Sequence, residues 1–370
     1  MKKKVNEERF FVPLKLNYFP NMDKNKEKEL IIQAKKSVND LLKESKNEAR
    51  LDKCYYCGKN CDSFCNSHTV PAFCLKNIAK EGKVYYNNSI LDLPVLSEDK
   101  GVNRAGTFQL ICRECDSKIF QEYENPDNYE SIPTVKMVAQ IDMKNNLKNI
   151  SKRLMEIPLY DLMAEKWMLD ERVHHDKKEV SDMDLKEFEY AYKHAKKCAS
   201  KPMEGEYYIG FYKELPYVVP VAFQGTMALT YDLEGNVINN IYDYDPKYKI
   251  KNLSLCIFPL KDKSIIMLFV EKGNRRYGDF FKQFKKLGSL EKQLSIINYI
   301  LFAYTEDFFL SPDLKKETLE ELNEVAGKST EFFSFFQGGN QKKMEMVQEI
   351  YNYEEATQIP NLLLKKYKVN

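Results

Sequence analysis

No stretch of this chain approaches the ~20 consecutive apolar residues that a membrane-spanning helix needs, so none is expected. The opening Met1-Lys2-Lys3-Lys4 is not followed by an apolar segment and does not read as a signal peptide. Neither sign of charge dominates: 57 Lys and Arg face 55 Asp and Glu, leaving +2. A globally basic nucleic-acid binder is therefore not expected, and any such affinity must come from local patches. The second half of the chain has no glycine-rich phosphate loop, no nucleophile elbow and no internal repeat. Histidine is scarce, with 4 in all, and His68 is the only one before residue 174.

What is present points to a folded protein of two or three domains: 370 residues, 43% hydrophobic and 13% aromatic. Nine cysteines are an odd number. Without a secretion signal they read as reduced thiols of a cytoplasmic protein rather than a disulfide framework.

Four of them fall in two matched pairs, Cys54-Tyr55-Tyr56-Cys57-Gly58 and Cys112-Arg113-Glu114-Cys115. A two-residue spacer lets both sulfurs of a pair point at one tetrahedral Zn²⁺ at ~2.3 Å, so Cys54, Cys57, Cys112 and Cys115 are expected to hold a structural zinc. Gly58 suits the knuckle because glycine adopts positive φ without steric cost. Cys61 and Cys65 are spare, and Cys57-x-x-x-Cys61 is a permissible alternative spacing. Cys74, in the apolar run Ala72-Phe73-Cys74-Leu75, reads as buried packing. Between the pairs stands Ser67-His68-Thr69-Val70-Pro71. After them Asp116 is expected to start a helix carrying Ile119, Phe120 and Tyr123 and stopped by Pro126. There the Asp116 carboxylate either caps the helix or binds a second metal.

The order Cys-x-x-Cys, His-x-x-Pro, Cys-x-x-Cys with a polar residue directly after it resembles the zinc-stapled branch of the HNH endonucleases over roughly residues 51 to 130. The resemblance implies a ββα, treble-clef-like unit that presents a general-base histidine and a catalytic Mg²⁺ or Mn²⁺ to a phosphodiester. By position His68 would be the base and Asp116 the helix-borne ligand of that metal. The chain departs from the family at Ser67, where Asp or His is usual, and at the middle Asn, whose nearest counterparts are Thr107 and Asn103. Glu124, eight residues after Asp116, lies nearer the Asp116 helix face than Glu122 does. Lys76 and Arg104 are candidates for phosphate contacts, and the expected partner is nucleic acid, DNA first. The Ser-His-x-x-Pro wording is associated with HNH-like proteins of bacteria and mobile elements, some linked to phage defence. The rival reading is a non-catalytic zinc finger that binds nucleic acid or protein, with recognition in the C-terminal half.

Around this unit the pattern divides into three parts. Residues 1 to 50 carry 13 basic against 8 acidic side chains, a difference of +5. They read as a basic arm, an extended piece over Phe10–Leu14, and a helix from Lys24 to Ala49 with Leu30, Ala34, Val38 and Leu41 on one stripe. This charge is either a phosphate-tracking arm or a solvated helix face. Residues 131 to 200 read as a helical connector, with His174-His175-Asp176 in a solvated turn. His194 and Cys198 share a helix face, and with no third ligand in sequence they read as ordinary residues. From residue 201, strands are expected over 207–211, 217–221, 227–231, 253–258 and 264–270, then helices over 277–287, 290–304, 313–325 and 342–353. Successive strands without intervening helices make the class α+β with an antiparallel sheet. This half is the expected surface for a homo-oligomer or a partner protein.

Overall fold

Short apolar runs bounded by turns build the central sheet, in a chain that a computed structural model describes over residues 24–90, 93–167, 171–245, 247–305, 307–323, 325 and 340–369. The basic arm and the extended piece at Phe10–Leu14 lie outside the described residues. In chain order the elements begin with α1 (Lys24–Glu48), β1 (Ser67–His68), α2 (Ala72–Ile78), β2 (Lys83–Ile90) and β3 (Leu93–Gly101). Then come β4 (Thr107–Phe108), α3 (Arg113–Ile119), α4 (Val135–Trp167), α5 (Glu171–Ser200), β5 (Tyr207–Leu215) and β6 (Val221–Met227). The chain continues with β7 (Leu253–Pro259), β8 (Ser264–Glu271), α6 (Gly278–Lys286), α7 (Leu290–Tyr304), β9 (Phe309–Leu310), α8 (Lys316–Asn323) and α9 (Asn340–Ile350). The class is α+β. No helix among the described residues is long and apolar enough to cross a membrane.

The chain groups into two units. One joins α1 to residues 149–189 of α4 and α5. It buries Leu41, Ile150, Leu159 and Leu162. Its polar ties are Ser45 Oγ donating to the Met155 carbonyl, Arg153 bridging Glu156 and Asp184, and Lys178 on Asp161 at 2.8 Å. His174-His175-Asp176, read as a turn, is part of α5, and His175 is exposed.

The second unit spans residues 53–148 and 190–370. Its sheet runs β3-β2-β9-β6-β7-β8-β5 among the described residues, all pairs antiparallel. The hairpin expected between the last two strands is β7–β8, with Ile257 opposite Ile266. Leu253, Leu255, Ile257, Ile266, Leu268 and Val270 share one face and pack with Phe280, Phe284, Ile297 and Leu301 of α6 and α7. The alternate residues face the other way, where the Tyr129 ring meets Phe258 and Tyr207 meets Phe269. Both faces are covered, which is why β7 and β8 are apolar throughout rather than alternating.

Two expectations need correction here. Residues 217–220 and 228–231 are not ladder strands; β5 and β6 run over 207–215 and 221–227 instead. Pro220 offers no amide donor, and this segment is tied by other groups: Val219 N–H donates to Ser264 Oγ and Val369 N–H to the Val218 carbonyl. The hairpin β2–β3 does not stay within a separate zinc unit, because Tyr85 pairs with Leu310 of β9 and so extends the large sheet. Pro94 lies inside β3 opposite Ser89, on an outermost strand where a missing donor is tolerated.

The N-terminal half of α4 is buried with both apolar and polar side chains, so the polar ones must find partners. Three of them reach other segments of the unit. Gln140 accepts from Tyr123 N–H at 3.1 Å, Asn145 accepts from Gln224 at 3.0 Å, and Lys148 pairs with Asp307 at 2.6 Å. Residues 135–148, within the stretch read as a connector, are therefore part of the core of this unit.

Candidate metal centre and the His68 site

The first cysteine pair closes as a knuckle: Gly58 N–H donates to the Cys54 carbonyl at 2.8 Å, and Gly58 takes φ +70°. The second pair straddles a helix start. Cys112 is the N-cap of α3, extended at φ −71° and ψ 157°, and its carbonyl accepts from Asp116 N–H at 3.0 Å. The helix thus begins three residues before the expected Asp116, because the zinc pair itself forms the first turn. Asp116 does not cap it. The two pairs are brought together by Tyr55 N–H to the Leu110 carbonyl at 2.9 Å and Cys112 N–H to Cys54 Sγ at 3.3 Å.

All four sulfurs lie within 4.8 Å of one another. A tetrahedral Zn²⁺ with bonds of ~2.3 Å places its sulfurs ~3.8 Å apart, so the four cysteines fit such an ion. Burial pushes the Cys54 thiol up, but amide donors from Cys57, Cys112 and Tyr56 outweigh it and hold it at about 7. Cys112 and Cys115 are pushed up, first by burial and then by neighbouring sulfurs. Without a cation the group cannot lose all its protons; a divalent ion removes that conflict. Cys61 and Cys65 take no part. Cys61 Sγ lies 2.7 Å from the Ser63 carbonyl, and Cys65 Sγ 3.4 Å from Asp116 Oδ2. Cys74 is fully buried, as expected.

Beside this centre, β1 and β4 form a two-stranded sheet in which His68 stands opposite Thr107, and α3 follows. Thr69 N–H donates to the Gly106 carbonyl at 2.8 Å, closing the other end. Gly106 takes φ +58°, and a β-carbon there would overlap the Phe309 ring and come within 2.9 Å of Thr69 Oγ1. Gly106→Ala is expected to lower stability by about 1–3 kcal/mol, from overpacking and from a backbone conformation that alanine disfavours. A denaturant melt checks it; an unchanged midpoint would show that the Phe309 ring simply moves aside.

His68 is half-buried, and its Nε2 lies 3.0 Å from the Val102 carbonyl. A carbonyl only accepts, so Nε2 carries the proton and Nδ1 keeps the lone pair. Burial holds the ring's pKa below its ordinary 6.5, against the raising effect of the Val102 bond. The ring is therefore neutral at neutral pH.

Asp116 is not free. Ser67 Oγ donates to its Oδ1 at 2.6 Å, and Lys144 Nζ lies 3.4 Å from the same oxygen. The Lys144 ammonium also pairs with Glu124 and sits 4.2 Å above the centre of the Phe120 ring, with only 1% of its side chain exposed. Burial raises the Asp116 pKa, yet Lys144 and the Ser67 hydroxyl outweigh that and hold it below 3.8. Glu124 lies beyond α3, which ends at Ile119, so helical spacing does not relate it to Asp116; the two acids converge on an ammonium contributed by α4. Lys144 was missed because nothing within residues 51 to 130 signals a partner twenty residues further on.

Lys76 and Arg104 are both exposed and line one groove of about 480 Å³ with Gly82, Gly101 and Val102. The two phosphate-contact candidates thus share a concavity whose wall includes the residue that tethers His68. The site thus joins a four-cysteine centre able to hold a metal ion such as zinc, a neutral histidine and a two-cation groove. No family model, no curated protein and no solved structure matches the chain.

Proposed function

We propose that the zinc-stapled unit acts on nucleic acid and hydrolyses phosphodiester bonds, with His68 Nδ1 as the general base. The observation that carries this reading is the Nε2–H bond to Val102, which leaves the other nitrogen basic, in a ring that burial keeps neutral. Water attacking phosphorus must lose a proton near neutral pH, and a positioned imidazole is suited to take it. Lys76 and Arg104, on the groove beside Val102, supply positive charge for the backbone. The zinc holds the two cysteine pairs together and takes no part in the step.

A resident catalytic Mg²⁺ or Mn²⁺ does not fit the residues as they stand. Such ions take oxygen ligands, and the oxygens of Asp116 and Glu124 already converge on the Lys144 ammonium. No step is assigned to that ion. The same observation favours a second reading: a zinc-stapled module that binds nucleic acid without cutting it, in which Asp116, Lys144 and Glu124 are structural. Both readings place the protein with the HNH-like proteins of bacteria and mobile elements, some of them linked to defence, acting in the cytoplasm.

Plasmid nicking, assayed with and without Mg²⁺ or Mn²⁺, separates them. His68→Ala is expected to lower the nicking rate by roughly 10²–10⁴ with zinc content unchanged. Because the His68 pKa is lowered, the neutral base dominates at pH 7, and the rate should fall only as pH drops below about 6.5. DNA retention without nicking under any metal would leave only the binding reading.

A further inference from the structure

The last turns of α5 carry His194 and Cys198, four residues apart and so on one helix face. In sequence they have no third companion nearby. The fold supplies one: the chain leaves α5 at Ser200 and returns through Glu206 into β5, which brings the Glu206 carboxylate over that face. His194 Nε2 lies 3.6 Å from Cys198 Sγ and 3.6 Å from Glu206 Oε2. All three donor atoms fall within 4.8 Å of one another.

The nitrogen–oxygen separation is long for a hydrogen bond and the nitrogen–sulfur one is ordinary for a thiol, and both are close to the edges of a coordination tetrahedron. With Zn–N and Zn–O near 2.0–2.1 Å and Zn–S near 2.3 Å, tetrahedral angles put nitrogen about 3.6 Å from sulfur and about 3.4 Å from oxygen. Glu271 and the buried Asp142 stand behind the cluster, and Tyr207 Oη donates to Asp142 at 3.0 Å. Cys198 is buried. Facing these groups from the other side, Lys272 Nζ lies 3.4 Å from Glu206 Oε1, which leaves Oε2 turned to the histidine. The His194 side chain is 30% exposed, so an ion has a path in from solvent.

We propose that His194 Nε2, Cys198 Sγ and Glu206 Oε2 form a second metal centre, distinct from the four-cysteine one, that takes a borderline-soft divalent ion such as Zn²⁺ and keeps its fourth position open to water. Binding releases the Cys198 proton to solvent, and the thiolate forms the bond to the ion. Three mixed protein ligands and an open position mark a site where a bound water or small anion can exchange, unlike a closed four-thiolate staple. The expectation stands whatever the zinc-stapled unit does to nucleic acid.

The test is metal counting on the full chain. Zinc added to metal-stripped protein and then gel-filtered should give one more bound ion in the wild type than in Cys198→Ala or His194→Gln. With Co²⁺ in place of zinc, the thiolate-to-metal absorption should lose the share of one sulfur in Cys198→Ala. Glu206→Gln should weaken this ion at least tenfold while leaving the tightly held one untouched. Equal counts in wild type and variants would overturn the proposal. Should the variants fail to fold by circular dichroism, zinc titration of the wild type against a chromophoric chelator decides alone: a single class of site overturns the proposal, and a second, weaker class sustains it.

Discussion

Cys115→Ser is expected to cost the chain its zinc and to loosen the segment from Cys54 to Ile119. The four sulfurs come from two pairs more than fifty residues apart, and the backbone ties between the pairs are few. α3 has seven residues, none of them buried, so little apolar contact of its own holds it in place. In comparable structural sites the ion contributes on the order of 10 kcal/mol. Serine at Cys115 removes one ligand and a thiolate at the helix N-terminus. The large sheet should survive, because β5 to β8 and their cover of α6 and α7 form a core that the zinc does not touch. Elemental analysis should show one zinc fewer than wild type. Limited proteolysis should cut within residues 54–66 or 109–125 while the far-ultraviolet circular dichroism is largely kept. Protection equal to wild type at these segments would mean that packing, not the ion, clamps the two pairs.

The second large effect belongs to Lys144→Met. The methionine keeps the volume over the Phe120 ring but removes the charge, leaving the carboxylates of Asp116 and Glu124 facing one another in a largely dry site. Breaking a buried ion pair on one side costs about 3–5 kcal/mol. Asp116 has a folded pKa below its ordinary 3.8, so its contribution is present above that value and lost as pH falls through the lower folded value. The variant removes this support and raises the Asp116 pKa. The gap in stability between variant and wild type should therefore be full at neutral pH and shrink as pH falls below about 4. Chemical melts at pH 7 and pH 3.5 read this directly. A gap that is small, or independent of pH, would show that the ammonium contributes packing alone. The same variant probes function: Mg²⁺ or Mn²⁺ that restores its stability would mean that Asp116 and Glu124 form a cation site which Lys144 fills in the resting protein. No restoration would favour the structural role.

The four-cysteine cluster was legible because two cysteines separated by two residues carry their geometry locally, and Gly58 marks the knuckle. The helices α1 and α7 and the hairpin β7–β8 were legible for the same reason: period and turn chemistry are local. Sequence alone thus determined which sulfurs pair, that the class is α+β, and that His68 lies between the two pairs. Only the tertiary structure decided what each polar group meets. Lys144 reaches Asp116 and Glu124 across a chain reversal, β2–β3 joins the large sheet through the two-residue β9, and Glu206 closes over His194 and Cys198 after a loop. A lysine's partner is chosen by which carboxylates the fold buries near it, and a short strand's by which open edge the packing leaves within reach. Such choices are settled by desolvation and space in three dimensions, and no period or spacing along the chain records them.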